Sequence, residues 1–461
     1  MTERYDTLVL GGGMSGLPLA LRAARHGRVA FVEKELLGGT CLNRGCIPTK
    51  TMIASAAVAH QARRAAEFGV RVGGPVTVDL AAVVERKNTL VDSIRAGSYR
   101  AVEKSADLDF YHAAGQFTGN RRLTVDGTTL TADRIILATG TRTTLPAIDG
   151  LDAVPYYTSR TLLDLTELPA HLLVVGGGYV GCEFAQMFRR FGAEVTIVQR
   201  ADRLLPGEDP DISAAVADGM TADGITVATA TTCTHAAGTA GNIRIGCTGT
   251  ETAEITGSHL LLATGRTPNT DALGLEHLDL QPDPHGFLTV GDTLNTSADN
   301  VWAIGDLRGG PMFTHTARDD ADIVYRTVYR DQDRTTTGRV VPHAVFTDPE
   351  VGAVGLTEPA ARAAGYDVII GRQNFTGVAK ARAIGNTRGL VKFVADAATD
   401  RILGCHIAGP DGGDLVHEAV IAMTCGATYG QLAAAIHIHP TLAEAVNAAA
   451  GGGHRPSLLY T

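Results

Sequence analysis

Residues 5–10 form a short apolar run that stops at Gly11-Gly12-Gly13-Met14-Ser15-Gly16. An alanine- and leucine-rich stretch follows to residue 24, and a second apolar run over 28–32 closes on Glu33. The order predicted is strand, glycine turn, helix, strand, the unit that binds dinucleotides. The pattern returns far downstream. Residues 172–175 lead into Gly176-Gly177-Gly178-Tyr179-Val180-Gly181, a helix is predicted through residue 191, and a strand over 194–198 closes on Gln199. Each copy also has a later buried-strand pattern with the same ending, Leu137-Ala138-Thr139-Gly140 in the first and Leu262-Ala263-Thr264-Gly265 in the second. One glycine fingerprint carries little weight, whereas two with matched closures predict two Rossmann-like domains in an α/β chain.

A further apolar pattern over 300–304 ends at Gly305-Asp306. From about residue 338 the texture changes. A valine- and glycine-rich segment at 346–355 precedes strand patterns at 389–395 and 401–408 and helix patterns over 413–427 and 441–449, which reads as a separate α+β domain. Residues 451–461 are expected to be loosely ordered. The division predicted is a first dinucleotide domain over 1–150, a second over 151–270, a return to the first over 271–337, and the C-terminal domain over 338–461.

The chain has 461 residues, 44% hydrophobic and 19% charged, so two to four globular domains with sizeable cores are expected. A formal net charge of −9 gives no reason to propose nucleic acid or an anionic membrane as partner. The uncharged stretch at 7–21 is too short and too rich in glycine to span a bilayer or serve as a signal peptide. Seven cysteines without a regular framework suit a reducing cytoplasm, where an active disulfide would be catalytic.

Two of those cysteines stand in Gly38-Gly39-Thr40-Cys41-Leu42-Asn43-Arg44-Gly45-Cys46-Ile47-Pro48-Thr49-Lys50. On an ideal helix, residues five apart are separated by roughly 7.5 Å along the axis, and a disulfide needs Cα atoms within about 7 Å. Pairing Cys41 with Cys46 therefore demands a distorted helix entry. The flanking glycines and Gly45 supply that freedom, and Pro48 suits the opening turn of a helix over 49–57.

This segment resembles the redox-disulfide segment of the class I flavin-dependent disulfide reductases, the pyridine nucleotide-disulfide oxidoreductases, and the resemblance covers nearly the whole chain. It implies two Rossmann-like domains for FAD and NAD(P)H plus a C-terminal dimerisation domain. Gly11, Gly13 and Gly16 let the backbone approach a pyrophosphate at a helix N-terminus, and Glu33 suits a ribose. The resemblance makes that nucleotide FAD and adds Thr40, Lys50, Thr139, Gly140 and Asp306 to its site, Asp306 on the ribityl chain. The nicotinamide nucleotide falls to Gly176, Gly178, Gly181 and Gly265, with the Tyr179 ring covering its pocket. Gln199 stands where Glu33 stands in the first copy, followed by Arg200 and Arg203. A carboxylate would repel a 2′-phosphate and guanidinium groups can grip one, so NADPH is expected over NADH.

By the same resemblance, Lys50 and Glu183 meet beside the flavin ring, and His439 with Glu444 in His439-Pro440-Thr441-Leu442-Ala443-Glu444 forms an acid/base dyad that reaches the partner subunit's disulfide. A homodimer with shared active sites follows. Cys41 then does the outward chemistry and Cys46 faces the flavin. Cys182, Cys233, Cys247, Cys405 and Cys425 show no metal-ligand spacing and read as buried structural thiols. The expected function is NADPH-dependent reduction of a small-molecule or protein disulfide. Three alternatives stay open. Mercuric-ion reduction lacks a vicinal cysteine pair near the chain end, dihydrolipoamide oxidation is favoured by His437 but weakened by Gln199 and Arg200, and a flavin redox sensor would not turn over.

Overall fold

Burial on both faces explains why the predicted strands read as unbroken apolar runs. Along Val29–Val32 all four side chains are buried, and they alternate. Val29 and Phe31 join one apolar cluster with Val9 and Ile136, while Ala30 and Val32 join another with Leu8, Leu10, Ile135 and Leu137. That is the period of two expected of a sheet with covered faces. The computed structural model describes residues 2–250 and 253–451; of the loose terminus expected over 451–461, residue 451 closes the helix Glu444–Gly451 and the rest lies outside the described residues.

Two compact units emerge, one built from 1–52, 81–144 and 265–338 and the other from 53–80, 145–264 and 339–461. The first holds a seven-stranded sheet ordered Leu108–Tyr111, Val29–Val32, Thr2–Leu10, Thr128–Leu137, Arg122–Val125, Gly115–Gly119, with Val301–Ala303 pairing beside Thr128–Leu137. The strands nearest the first glycine turn are parallel, with Leu10 opposite both Val32 and Leu137.

The second unit holds a four-stranded parallel sheet ordered Thr226–Ala228, Glu194–Val198, His171–Val175, His259–Leu262. A three-stranded antiparallel sheet of Thr231–Thr239, Asn242–Gly249 and Ala253–Gly257 accompanies it. The same unit contains a five-stranded antiparallel sheet, Pro342–Val345, Glu350–Gly355, Ile402–Gly409, Leu390–Asp396 and Val368–Asn374 in spatial order.

Several sequence expectations need correction. The helix expected over 49–57 runs Cys46–Arg64. The single helix expected over 413–427 is two, Gly412–Leu415 and His417–Cys425. The His417 ring lies 3.0 Å from the Gly413 carbonyl, the acceptor a continuous helix would reserve for the His417 N–H. The last helix begins at Glu444 rather than 441, because the Glu444 carboxylate accepts the Thr441 N–H and holds 441–443 as a turn. Of the five cysteines read as buried, Cys425 is exposed. Among the described residues no helix is long and apolar enough to cross a membrane.

Candidate active site

The two glycine turns are built alike. A Cβ at Gly11 would meet the Ala138 carbonyl oxygen at 2.3 Å, and one at Gly16 would meet the Gly11 oxygen at 1.9 Å; at Gly176 and Gly181 the corresponding distances, to Ala263 and Gly176 oxygens, are 2.3 and 1.9 Å. These outer glycines allow close backbone packing. The middle glycines differ, since a Cβ at Gly13 or Gly178 would meet nothing within 4 Å. Each turn thus leaves bare backbone facing open space at its middle glycine, the access a pyrophosphate needs. Glu33 Oε2 accepts the Gly12 N–H at 2.6 Å, and Gln199 Oε1 accepts the Gly177 N–H at 3.1 Å. The same brace is built twice, once with a charge and once without.

Cys41 lies in the helix Gly39–Arg44 and Cys46 opens the next, with Gly45 between them at φ −139°, ψ −116°. The distortion predicted from spacing is a complete break between two helices. A Cβ at Gly45 would come 2.9 Å from the Thr40 oxygen, which keeps the break tight. Cys41 is partly buried and Cys46 exposed. The hydrogen bond to Cys46, reinforced by burial, pushes the Cys41 thiol well above its ordinary range. Cys46 Sγ also lies 3.6 Å from Thr314 Oγ1. Lys50 follows Cys46 by one helical turn and is half-buried, while Thr40 is exposed.

Asn43, between the cysteines, was not singled out from sequence. Its amide donates to the carbonyls of Leu36, Leu37 and Gly39 at 3.3, 3.0 and 3.0 Å, and its oxygen accepts from Arg95 at 3.1 Å. It anchors the approach to Cys41.

Asp306 follows the strand Val301–Ala303 in the short turn Gly305–Arg308. Burial raises its carboxyl above the usual range, against Arg266 and a 3.1 Å hydrogen bond from Thr141. Behind the turn, Asp320 is fully buried; it accepts the Gly305 N–H at 2.9 Å and Arg308 Nε and Nη2 at 2.7 and 3.0 Å. Thr139 and Gly140 are tied to Asn269, whose side chain donates to the Thr139 oxygen at 2.8 Å and whose N–H donates to Gly140 at 2.9 Å. Gly265 accepts the Thr144 N–H at 3.0 Å.

In the second unit Tyr179 opens the helix Tyr179–Phe191 directly after Gly178. Its hydroxyl donates to Glu208 at 2.6 Å, His343 Nε2 meets the same oxygen at 2.7 Å, and the Tyr179 and His343 rings stack 5.5 Å apart. Burial alone would raise the Glu208 carboxyl, yet His343 and Tyr179 hold it below the ordinary range. Glu183 is buried and accepts the Phe346 N–H at 3.0 Å. Arg200 is exposed. Arg203 is engaged within its own loop, donating to the Pro206 carbonyl at 3.0 Å and lying 3.5 Å from Asp202.

Near the end of the described chain, His439 Nδ1 and Glu444 Oε1 are 2.8 Å apart, and Glu444 Oε2 takes the Thr441 N–H at 3.0 Å. Slight burial raises the Glu444 carboxyl, but His439 and that N–H outweigh it and hold the group low. His437 Nε2 pairs with Glu418 at 2.9 Å.

Two family models account for this arrangement, pyridine nucleotide-disulphide oxidoreductase over residues 5–321 and its dimerisation domain over 341–450. The chain belongs to the pyridine nucleotide-disulphide oxidoreductase family. A mercuric reductase of Streptomyces lividans is 36% identical over 454 residues, 97% of this chain and 95% of that protein. A dihydrolipoyl dehydrogenase of Bacillus subtilis is also 36% identical, over 471 residues and 98% of each. The HOCl-induced flavoprotein disulfide reductase RclA from Escherichia coli superposes with a TM-score of 0.87 at 32% identity, covering 96% of this chain and 98% of that one.

Pyridine nucleotide-disulphide oxidoreductases are flavoenzymes that use FAD and NAD(P)H, and both glycine cradles fit such dinucleotides. The dimerisation domain makes the protein a homodimer. The chain surface agrees with that state, because Ile436 and Ile438, flanking His437, are 100% and 77% exposed on the isolated chain.

Proposed function

We propose that the protein is an FAD-dependent reductase that draws on NADPH and reduces a small-molecule or protein disulfide through Cys41 and Cys46. The observation that carries this reading is the pair of hydrogen-bonded thiols astride the Gly45 break, in the unit that also bears the Gly11–Gly16 cradle. When bound, FAD supplies the electron pair drawn from NADPH.

The chain's own residues would do the rest. His439 takes the proton from Cys41, and Glu444 fixes the imidazole so that its other nitrogen faces the thiol of the partner subunit. The Cys41 thiolate attacks one sulfur of the substrate disulfide. The departing sulfur takes the proton back from His439 and leaves as a thiol. Cys46 then gives up its proton and attacks Cys41; the bond from Cys41 to the substrate sulfur breaks, that sulfur takes the proton and leaves as the second thiol, and the Cys41–Cys46 disulfide is restored. Two electrons pass from the cysteines to the substrate, which leaves as two thiols. Asn43 positions Cys41, and Lys50 with Glu183 would sit at the flavin ring.

NADPH is preferred because the second brace is the neutral Gln199 and Arg200 is exposed beside it. Arg203, already bonded to its loop, contributes less. Tyr179 would leave its Glu208 and His343 contacts to admit the nicotinamide. The division into residues 1–150 with 271–337 for FAD, 151–270 for NADPH and 338–461 for dimerisation belongs to the same reading, as does a cytoplasmic location.

The test is steady-state kinetics with NADPH and NADH against disulfides, lipoamide and mercuric ion. Sustained NADPH turnover with a disulfide supports the proposal. Preference for NADH with lipoamide, faster turnover of mercuric ion, or stoichiometric bleaching without turnover would each replace it with the corresponding alternative.

A further inference from the structure

Away from these residues, two other cysteines face each other. Cys233 and Cys247 are direct partners across the antiparallel strands Thr231–Thr239 and Asn242–Gly249. Directly opposed residues place their Cα atoms about 4.5–5.5 Å apart with both side chains on one face, inside the roughly 4.4–6.8 Å span that a disulfide bridges. Both side chains are buried, at 7% and 4% exposure, in an apolar cluster with Ile148, Val198 and Ile245.

The pairing follows from local irregularity. The strand register shifts between Cys233 and His235, and the Cys233 thiol donates to the His235 carbonyl at 3.7 Å. The two thiols also share a hydrogen bond, which raises Cys233 together with burial and lowers Cys247 against burial, so the first proton lost leaves Cys247. Cys405 provides an internal contrast. It is as deeply buried, but its cross-strand partners are Val354 and Phe393.

We propose that Cys233 and Cys247 form a second redox dithiol, oxidised to an intrachain disulfide by hydrogen peroxide independently of Cys41 and Cys46. Cys247 thiolate attacks one peroxide oxygen, the O–O bond breaks, and the departing hydroxide leaves as water, giving the Cys247 sulfenic acid. The Cys233 sulfur then displaces hydroxide from that sulfenic acid, the S–S bond forms, and the Cys233 proton joins the hydroxide as a second water. Two thiols lose two electrons and two protons, and peroxide becomes two waters. Burial selects so small an oxidant over bulky disulfides, and the adjacent thiol intercepts the sulfenic acid before it reaches the irreversible sulfinic state.

The experiment treats wild-type holoenzyme with hydrogen peroxide, alkylates the remaining thiols after denaturation, and digests with trypsin without reduction. Arg244 lies between the cysteines, so a disulfide holds two tryptic peptides together. The expected product is that cross-linked pair, lighter by two hydrogens than the separate peptides, with Cys405 still alkylated. The same product is expected from Cys41→Ser. Recovery of Cys233 and Cys247 as separate alkylated or sulfinic peptides would overturn the proposal, as would loss of the cross-link in Cys41→Ser or oxidation of Cys405 at the same dose.

Discussion

Asp320→Asn offers a quantitative check on how the turn carrying Asp306 is held. Asp320 is fully buried and the Arg308 side chain is only 10% exposed. The carboxylate accepts from Arg308 Nε and Nη2 and from the Gly305 N–H, while Asn keeps the shape but removes the charge and one acceptor. Breaking one side of a buried ion pair leaves an uncompensated charge and costs about 3–5 kcal/mol. At about 2–4 °C per kcal/mol for units of 150–250 residues, the melting temperature should drop by roughly 6–20 °C. Flavin occupancy of the purified protein, read from the ratio of flavin to protein absorbance, should fall with it. The paired replacement Asp320→Leu with Arg308→Met removes both charges and should cost less than Asp320→Asn alone. A melting shift within about 1 °C would refute the buried-pair reasoning. A large shift with full flavin occupancy would show that the pair braces the fold without governing the Asp306 turn.

Three other outcomes follow from the geometry. Burial raises the Glu350 carboxyl to about 7 against the Gly413 N–H it accepts, so the folded state holds a proton that the unfolded state releases near 4.5. The charged form is the less stable one when folded, and stability falls as pH rises from 4.5 to 7. Relative to wild type, Glu350→Gln should therefore gain about 1.4 kcal/mol per pH unit across that window in denaturant titrations; a pH-independent difference would contradict the assignment. Arg200→Glu should raise the KM for NADPH roughly tenfold or more with little change for NADH, measured as paired kcat/KM values; equal losses with both nucleotides would remove Arg200 from phosphate recognition. Glu444→Gln should lower kcat for disulfide reduction by about 10- to 100-fold while leaving NADPH-dependent flavin bleaching intact, since acid/base catalysis contributes about 10²–10⁴-fold. Slowed bleaching would place Glu444 elsewhere in the cycle.

What the sequence discloses depends on whether a residue carries its meaning locally. The two nucleotide cradles were readable because strands covered on both faces appear as apolar runs and because the glycines stand in one short stretch. The break at Gly45 was readable because five residues of ideal helix hold Cys41 and Cys46 too far apart. Asp320, Glu208 and His343 were not, because each is an isolated polar residue whose role comes from partners 15, 29 and 135 positions away. Cys233 and Cys247 fit no spacing rule, and they face each other only through the strand register and the irregularity after Cys233. Arg203 shows the converse, being suitable by type and position yet already committed to Pro206.

The central claim is that Cys46 faces the flavin and Cys41 faces the substrate, and the long-wavelength absorbance of a thiolate beside oxidised flavin tests it most directly. Holoenzyme carrying Cys41→Ser should retain that band, lose disulfide reduction, and lose the band again on acidification. Cys46→Ser should lack the band at every pH. The reverse pattern, a band in Cys46→Ser and none in Cys41→Ser, would exchange the two roles, and no band in either would remove the thiol pair from the flavin altogether.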